Sequence, residues 1–242
     1  MFDFITRAVT HPFDYLGTLS LHKLSLVRTE HIEGTVYSFV FKSNKPLSWK
    51  AGQHGVFWFF GKKMEEGIWR AFSIASSMHE YEIRIATHVG DDPSDFKARL
   101  LGMLPGDTIH MQGPFGEFHA EDKDQLVGIA GGVGITPFRA ILHDIANDFV
   151  KNTNITLIYS AAPGEHVFKE ELDMWAENTN RINIIYTETP EEVNEALTEK
   201  IDIFGDDAYY CISGSPGMVH ALKNTCLGKG LTKIINDPFK GY

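Results

Sequence analysis

The stretch Leu126-Val-Gly-Ile-Ala-Gly-Gly-Val-Gly134-Ile-Thr-Pro137 constrains the fold of this chain more than any other. An apolar run ends in clustered glycines, and a threonine-proline pair then opens a segment with Phe138, Ile141, Leu142, Ile145 and Phe149 on one helical face. Strand-like and helix-like segments alternate from there on. Strands are predicted over 155–159, 182–186 and 208–213, with helices carrying Phe168, Leu172 and Trp175 or starting near Pro190 and Pro216. Such alternation predicts a parallel sheet covered by helices, with ligands at the carboxyl ends of its strands. The loops after Ala130, Tyr159 and Ser213 are therefore the places to look.

The first half reads differently. Between Leu19 and Gly113 the segments are short, rich in β-branched and aromatic residues, and separated by turn chemistry such as Ser43-Asn-Lys-Pro46. Tyr37, Phe39 and Phe41 alternate, as do Ile83 and Ile85 against Glu82 and Arg84, which predicts an antiparallel barrel. One helix interrupts it: after Gly90-Asp-Asp-Pro93-Ser94, the residues Phe96, Leu100 and Leu104 recur at four-residue steps, and the start of that helix suits an anion. Ahead of the barrel, Phe2, Ile5, Val9, Phe13 and Leu16 would stripe a helix broken or kinked at Pro12, read as a segment packed on its own domain.

With 242 residues and a change of pattern near residue 125, two domains are expected. A net charge of -10 argues against nucleic-acid binding, which needs clustered cations. No apolar stretch approaches the roughly 20 residues of a membrane span, and Asp3 in the apolar start argues against a signal peptide, so a cytoplasmic place is expected. The two cysteines, Cys211 and Cys226, form no CxxC pair, and the eleven histidines show no ligand spacing. No metal site is expected, and redox chemistry would need an organic cofactor.

Three motifs could carry that chemistry. Gly132-x-Gly134-x-x-Pro137 departs from the dinucleotide fingerprint by a proline at the third glycine, yet it follows a strand and opens a helix, so its amides and helix dipole can approach a pyrophosphate. The alternative is a tight strand-helix turn that binds nothing. Ser213-Gly-Ser-Pro-Gly217 supplies a second glycine turn in the same sheet. In the first half, Arg70-Ala-Phe-Ser73-Ile-Ala-Ser76 places a guanidinium for phosphate, an aromatic face for a planar ring and a hydroxyl for a ring nitrogen. Arg70 and Phe72 share a strand face; Ser73 points the other way unless the strand ends or bends there.

Taken together and in this order, the motifs resemble those of the ferredoxin-NADP reductase superfamily. Arg70-x-Phe72-Ser73 matches its flavin motif, Gly90 to Ser94 its flavin-phosphate turn and Gly113-Pro-Phe-Gly-Glu-Phe118 the end of its barrel. Gly131 to Pro137 matches its nucleotide loop, and Gly214-Ser-Pro-Gly-Met218 its nicotinamide-side loop. The resemblance implies an N-terminal extension over 1–17, an antiparallel six-stranded FAD-binding β-barrel over 18–122 and an α/β parallel-sheet NAD(P)-binding domain over 123–242. It further implies an oxidoreductase that moves hydride from NADH or NADPH to N5 of FAD, or less readily FMN, and passes electrons to a redox protein or small acceptor. Arg70, Ala71, Phe72, Ser73, Ile85, Ala86, Thr87, Pro93 and Ser94 would hold the flavin. Gly131, Gly132, Gly134, Thr136, Ser160, Gly214, Pro216, Gly217 and Met218 would hold the nicotinamide coenzyme, and Phe239 or Tyr242 would shield the flavin ring beside Asp237. Ser73 and Ser213 would flank the reacting atoms. Two alternatives stay open: a reductase using flavin as a diffusing substrate, and an electron-transfer subunit without turnover.

The chain departs from the family pattern in places. Phe72 stands where tyrosine is frequent, and Ser213 where cysteine is frequent, with Cys211 two residues earlier. The loop Ser160-Ala-Ala-Pro-Gly-Glu-His166-Val-Phe-Lys169 has no arginine for a 2'-phosphate and has Glu165 nearby, which tilts the coenzyme toward NADH; Ser160, His166 and Lys169 could still build a phosphate site. His88 could touch flavin or lie on the barrel rim, and Lys62 with Lys63 could dock an acidic protein or lie in a solvated turn. The electron acceptor and the oligomeric state are not encoded in any motif.

Overall fold

The computed structural model describes residues 12–60 and 69–236, and the chain divides into two compact units, Met1–His119 and Ala120–Tyr242. The first unit is a six-stranded antiparallel sheet of β1 (Leu21–Glu33), β2 (Val36–Ser43), β3 (His54–Trp58), β4 (Trp69–Ser73), β5 (Ile83–His88) and β6 (Thr108–Phe115), in the order β4-β3-β6-β1-β2-β5. Irregularities in register between Leu26 and Arg28 and between His31 and Glu33 let the 13-residue β1 bend, as bulges do, and the sheet curls into a half-barrel. Just past β4, the Ala75 amide donates to the Arg84 carbonyl of the opposite edge strand at 2.7 Å. Phe39, Phe41, Phe57, Ile85, Ile109 and Met111 fill the inside. Helix α1 (Asp95–Leu101) adds Phe96 and Leu100 to this core.

The helix is shorter than its apolar period. It ends at Leu101, Gly102 caps it, and Leu104 is 70% exposed. Leu104 precedes Pro105, which disfavours a helical backbone, and its amide donates instead to the Asp107 carboxylate at 2.8 Å. The N-terminal stripe also fails as an apolar seam where it is described. A single helical turn at Pro12–Tyr15 and a 3₁₀ turn at Leu16–Leu19 leave Phe13 and Leu16 exposed, while Phe2, Ile5 and Val9 lie outside the described residues. The segment packs on its own unit by polar ties: Asp14 meets Lys50 Nζ at 2.9 Å and His119 Nε2 at 3.3 Å, and its carbonyl accepts from the Gly116 amide. Gly17 permits the approach, since a Cβ there would sit 1.7 Å from the Pro114 carbonyl oxygen.

The second unit is a five-stranded parallel sheet of β7 (Gln125–Gly131), β8 (Asn154–Ser160), β9 (Ile182–Thr187), β10 (Tyr209–Ser213) and β11 (Ile234–Asn236), ordered β11-β10-β7-β8-β9. Helices α2 (Thr136–Ala146), α3 (Lys169–Asn178), α4 (Pro190–Phe204) and α5 (Pro216–Gly228) connect them. On one face Val193 and Leu197 of α4 and Val219 and Leu222 of α5 pack on Val127, Ile129, Tyr210 and Ile212. On the other, Phe138 of α2 fits over Gly128, where a Cβ would lie 2.6 Å from its ring. Fully burying such a phenyl ring contributes about 2 to 3 kcal/mol. Phe149 falls beyond the end of α2 and is 48% exposed, because Asp148 adopts a left-handed backbone (φ 61°) and turns the chain. Phe168 lies just before α3 rather than within it, and β11 is an element the sequence pattern does not announce. No helix among the described residues is long and apolar enough to cross a membrane, and no group of three metal-ligating side chains occurs among them.

Candidate functional site

In the first unit the antiparallel register of β3 and β4 pairs Phe57 with Arg70, Gly55 with Phe72 and His54 with Ser73. Arg70 and Phe72 thus lie on the Phe57 face, and Ser73 on the His54 face. The half-buried Phe72 ring sits edge-on to Phe57 at 5.7 Å and tilted against Phe96 at 5.9 Å. The buried Arg70 guanidinium lies 5.8 Å from the Phe96 ring centre. Next to Phe96 on α1 stands Lys97, whose pKa is lowered by burial and further by the charge of Arg70. The charge of Arg70 felt at Lys97 marks a place where an anion is favoured.

Ser94 adds a second sign of an anion. It occupies the N-cap of α1 without capping it, and its hydroxyl oxygen is buried with no hydrogen-bond partner among the described residues. A buried hydroxyl without a partner is costly, and a phosphate oxygen would satisfy it. Arg70, Lys97 and Ser94 therefore fit the phosphate of a flavin nucleotide, with Pro93 before them and the exposed residues Asp91, Asp92 and Asp95 around them. Ile85, Ala86 and Thr87 are buried in β5, an edge strand paired only with β2, so their contribution to a ligand would be backbone rather than side chain. His88 is a rim residue: it is exposed and its Nδ1 lies 3.1 Å from Thr35 Oγ1.

No sequence motif singles out His54. It is buried directly across from Ser73, edge-on to Phe115 at 4.4 Å, and burial pushes its pKa down to about 3, so it is neutral. The Gly113-Pro-Phe-Gly116 stretch boxes it in, since a Cβ on Gly116 would come within 2.7 Å of the imidazole. That stretch is the available signal, but only the register ties it to Ser73.

In the second unit β7 ends at Gly131, a 3₁₀ turn spans Gly132–Ile135, and α2 starts at Thr136 with Pro137 in its first turn. The two glycine turns lie back to back. A Cβ on Gly134 would be 2.4 Å from the Ser213 carbonyl oxygen and 2.7 Å from the Gly214 nitrogen. Met218 sits over both turns, its sulfur 2.3 Å from a Cβ built on Gly131 and 3.0 Å from one on Gly214. Pro216 and Gly217 open α5, which Ser215 caps by accepting from the Met218 amide. The Thr136 hydroxyl donates to the Val133 carbonyl at 3.0 Å, so its proton shapes the turn and only its lone pairs remain for a ligand. Ser213 ends β10, whereas Cys211 is fixed inside the sheet between Gly128 and Ile235, where burial pushes its thiol up to about 12.

At the strand ends beyond Ser160, His166 and Lys169 each meet groups of the protein itself. His166 is buried between the rings of Tyr159 and Tyr186, with Nε2 3.3 Å from both the Tyr159 and Thr187 carbonyls. Lys169 Nζ lies 2.5 Å from Asp173 and 4.1 Å from the centre of the Tyr186 ring. Backbone acceptors and a carboxylate already engage both groups. Phe239, Tyr242, Asp237, Lys62 and Lys63 lie outside the described residues. A cavity of about 570 Å³ beside Lys42, Trp49, Met78 and Tyr81 contains none of the residues expected to bind a cofactor.

The class follows from these two units: a curled antiparallel sheet joined to a parallel nucleotide-type sheet, of which residues 129–224 match the model of the oxidoreductase NAD-binding domain. The same two-unit fold occurs in a ferredoxin NADP+ reductase from Neisseria gonorrhoeae solved with FAD and NADP (TM-score 0.74, 20% identity, 90% of this chain and 98% of that one). It recurs in the cytochrome b5 reductase domain of Ulva prolifera nitrate reductase (TM-score 0.73, 19% identity, 92% and 99%). The chain thus shares the two-unit fold of these reductases, and its residues 129–224 match the oxidoreductase NAD-binding domain. In sequence it is 34% identical over 134 residues to one subunit of the Na(+)-translocating NADH-quinone reductase of Pseudomonas aeruginosa, a match spanning 51% of this chain and 33% of that protein. The same subunit from Neisseria meningitidis is 35% identical over 124 residues, spanning 47% and 31%. The matches thus cover about a third of the length of those relatives.

Proposed function

We propose that this chain is an NAD(P)H-dependent flavoprotein oxidoreductase, with a flavin-binding domain over 18–122 following a short extension, and a nicotinamide-binding domain over 123–242. The observation that carries the reading is the Arg70, Lys97 and Ser94 cluster, an anion position in a chain whose other half matches an oxidoreductase NAD-binding domain. FAD, when bound, supplies the hydride-accepting centre at its N5. Arg70, Lys97 and Ser94 would hold its phosphates, Phe72 would pack on its ring system, and Ser73, on the other face of β4 with neutral His54, would donate a hydrogen bond near N5. Backbone amides of the Gly131 to Gly134 turn face the coenzyme pyrophosphate, while Ser213 and Gly214 orient the nicotinamide. The protein's share is therefore position and charge, as is usual for cofactor enzymes.

NADH is the coenzyme this reading favours, because His166 and Lys169 already have partners and the loop between β8 and α3 contains no arginine. The electrons leave to a redox protein or a small acceptor. The buried, unpaired thiols of Cys211 and Cys226 support work in a reducing compartment such as the cytoplasm. Release and chromatography of the bound flavin, followed by stopped-flow reduction with NADH and NADPH, test the whole reading. Protein that neither retains nor reduces flavin refutes it, and flavin lost on gel filtration yet turned over when added would make flavin a substrate. Arg70→Ala should weaken flavin retention by about 1.5 to 3 kcal/mol, the worth of a charged hydrogen bond; unchanged affinity removes Arg70 from the role.

A further inference from the structure

We propose that Asp173 is the residue that sets this chain against NADPH, by fixing a negative charge and holding Lys169 beside the carboxyl ends of β8 and β9. The inference rests on the nicotinamide reading above. In nucleotide-binding parallel sheets the adenosine ribose lies at the end of the strand that neighbours the one feeding the glycine turn. Here β7 feeds the turn and β8 is that neighbour; Ser160 at its end aligns with Gly131 on one side and Thr187 on the other. Tyr186, one residue before Thr187, carries the three-cornered arrangement.

Lys169 is the first residue of α3, and a compact ammonium there is a natural partner for a 2'-phosphate. Asp173, one helical turn later, takes it at 2.5 Å. An exposed pair four residues apart is loose on its own. Asp173 is not on its own, because its other oxygen accepts from the Tyr186 hydroxyl at 2.6 Å, and Tyr186 is set in β9. The carboxylate therefore cannot swing away when a phosphate approaches. Burial acts to raise the Asp173 pKa, but the hydrogen bonds from Lys169 and Tyr186 prevail and keep it below the ordinary carboxylate value. A doubly charged 2'-phosphate meets a fixed anion and a lysine already neutralised. The 2'-hydroxyl of NADH meets neither penalty.

Asp173→Asn keeps an oxygen for Tyr186 while removing the charge and releasing Lys169. In the flavin-loaded full chain, KM for NADPH should fall about tenfold, with KM for NADH and both kcat values little changed, the size expected of one partly screened charge reversal of balance. Adding Lys169→Gln to that variant should cancel the gain. An unchanged NADPH to NADH ratio in D173N, or a gain that survives K169Q, overturns the proposal. If D173N does not fold, K169Q alone decides: unchanged KM for NADPH supports the latch, and a tenfold rise shows that Lys169 already serves the phosphate. Calorimetric titration with 2'-phospho-AMP and 5'-AMP separates this question from turnover. A D173N gain confined to 2'-phospho-AMP supports the assignment even where neither coenzyme reduces flavin, an outcome that would sink the flavoprotein reading instead.

Discussion

Replacing Gly134 by alanine should damage both the second unit and its proposed coenzyme site. The added Cβ would lie 2.4, 2.6 and 2.7 Å from the Ser213 oxygen, the Ser213 carbonyl carbon and the Gly214 nitrogen. The shortest of these is about 1 Å short of ordinary contact, and all three atoms are backbone. They cannot rotate out of the way: Ser213 is paired with Ala130 in the sheet and Gly214 leads into the Ser215 cap of α5. Overpacking of a close-packed interior costs about 1 to 3 kcal/mol, and immobile neighbours put Gly134→Ala near the upper end, about 2 to 3 kcal/mol. Two other glycines calibrate the claim. Gly131→Ala meets the sulfur of Met218, a flexible end that can repack for less than about 1 kcal/mol. Gly217→Ala meets nothing within 4 Å and lies in the first turn of α5, so it should be neutral or stabilise by up to about 1 kcal/mol. Urea unfolding of the three variants gives the stability order, and the KM for NADH in flavin reduction gives the functional one. G134A as stable as G217A would refute the packing argument; G134A destabilised with unchanged KM would refute the placement of the coenzyme.

Buried His54 makes a pH signature. Its folded pKa of about 3 lies below the ordinary 6.5, so between those values the unfolded chain binds a proton that the folded chain excludes, and stability falls as pH drops through that window. Urea midpoints from pH 7 to 4 should fall more steeply for the wild type than for His54→Gln; parallel slopes would contradict it. At the start of α4, Thr189 accepts from the Glu192 amide at 3.2 Å in a capping box, and Thr189→Ala should cost about 1 kcal/mol by thermal or urea unfolding.

The alternation of strands and helices after Gln125 is legible because each of those elements buries its own local pattern. Where the pattern outran the structure, a backbone event intervened: Pro105 and the Asp107 turn left Leu104 outside α1, and the left-handed Asp148 left Phe149 outside α2. The strand β11 is three residues long and exists only through pairing with β10, so nothing local marks it. The same holds for the site. Arg70, Phe72 and the glycine turns are visible as types at set spacings, but Lys97, His54 and Asp173 acquire their importance from neighbours 27, 19 and 13 positions away, namely Arg70, Ser73 and Tyr186. His166 shows the converse: a histidine in a candidate phosphate loop proves to be a backbone tie, because the tyrosines that enclose it come from two different strands.

The ties of Asp14 join distant parts of the first unit. Asp14 stands near the start of its described chain and His119 is its last residue, and the two side chains are 3.3 Å apart. A stretch of chain whose first and last residues touch closes on itself, so the strands between them are held from both sides. The stretch from Asp14 to His119 is in this sense a closed loop, fastened by one carboxylate that also holds Lys50.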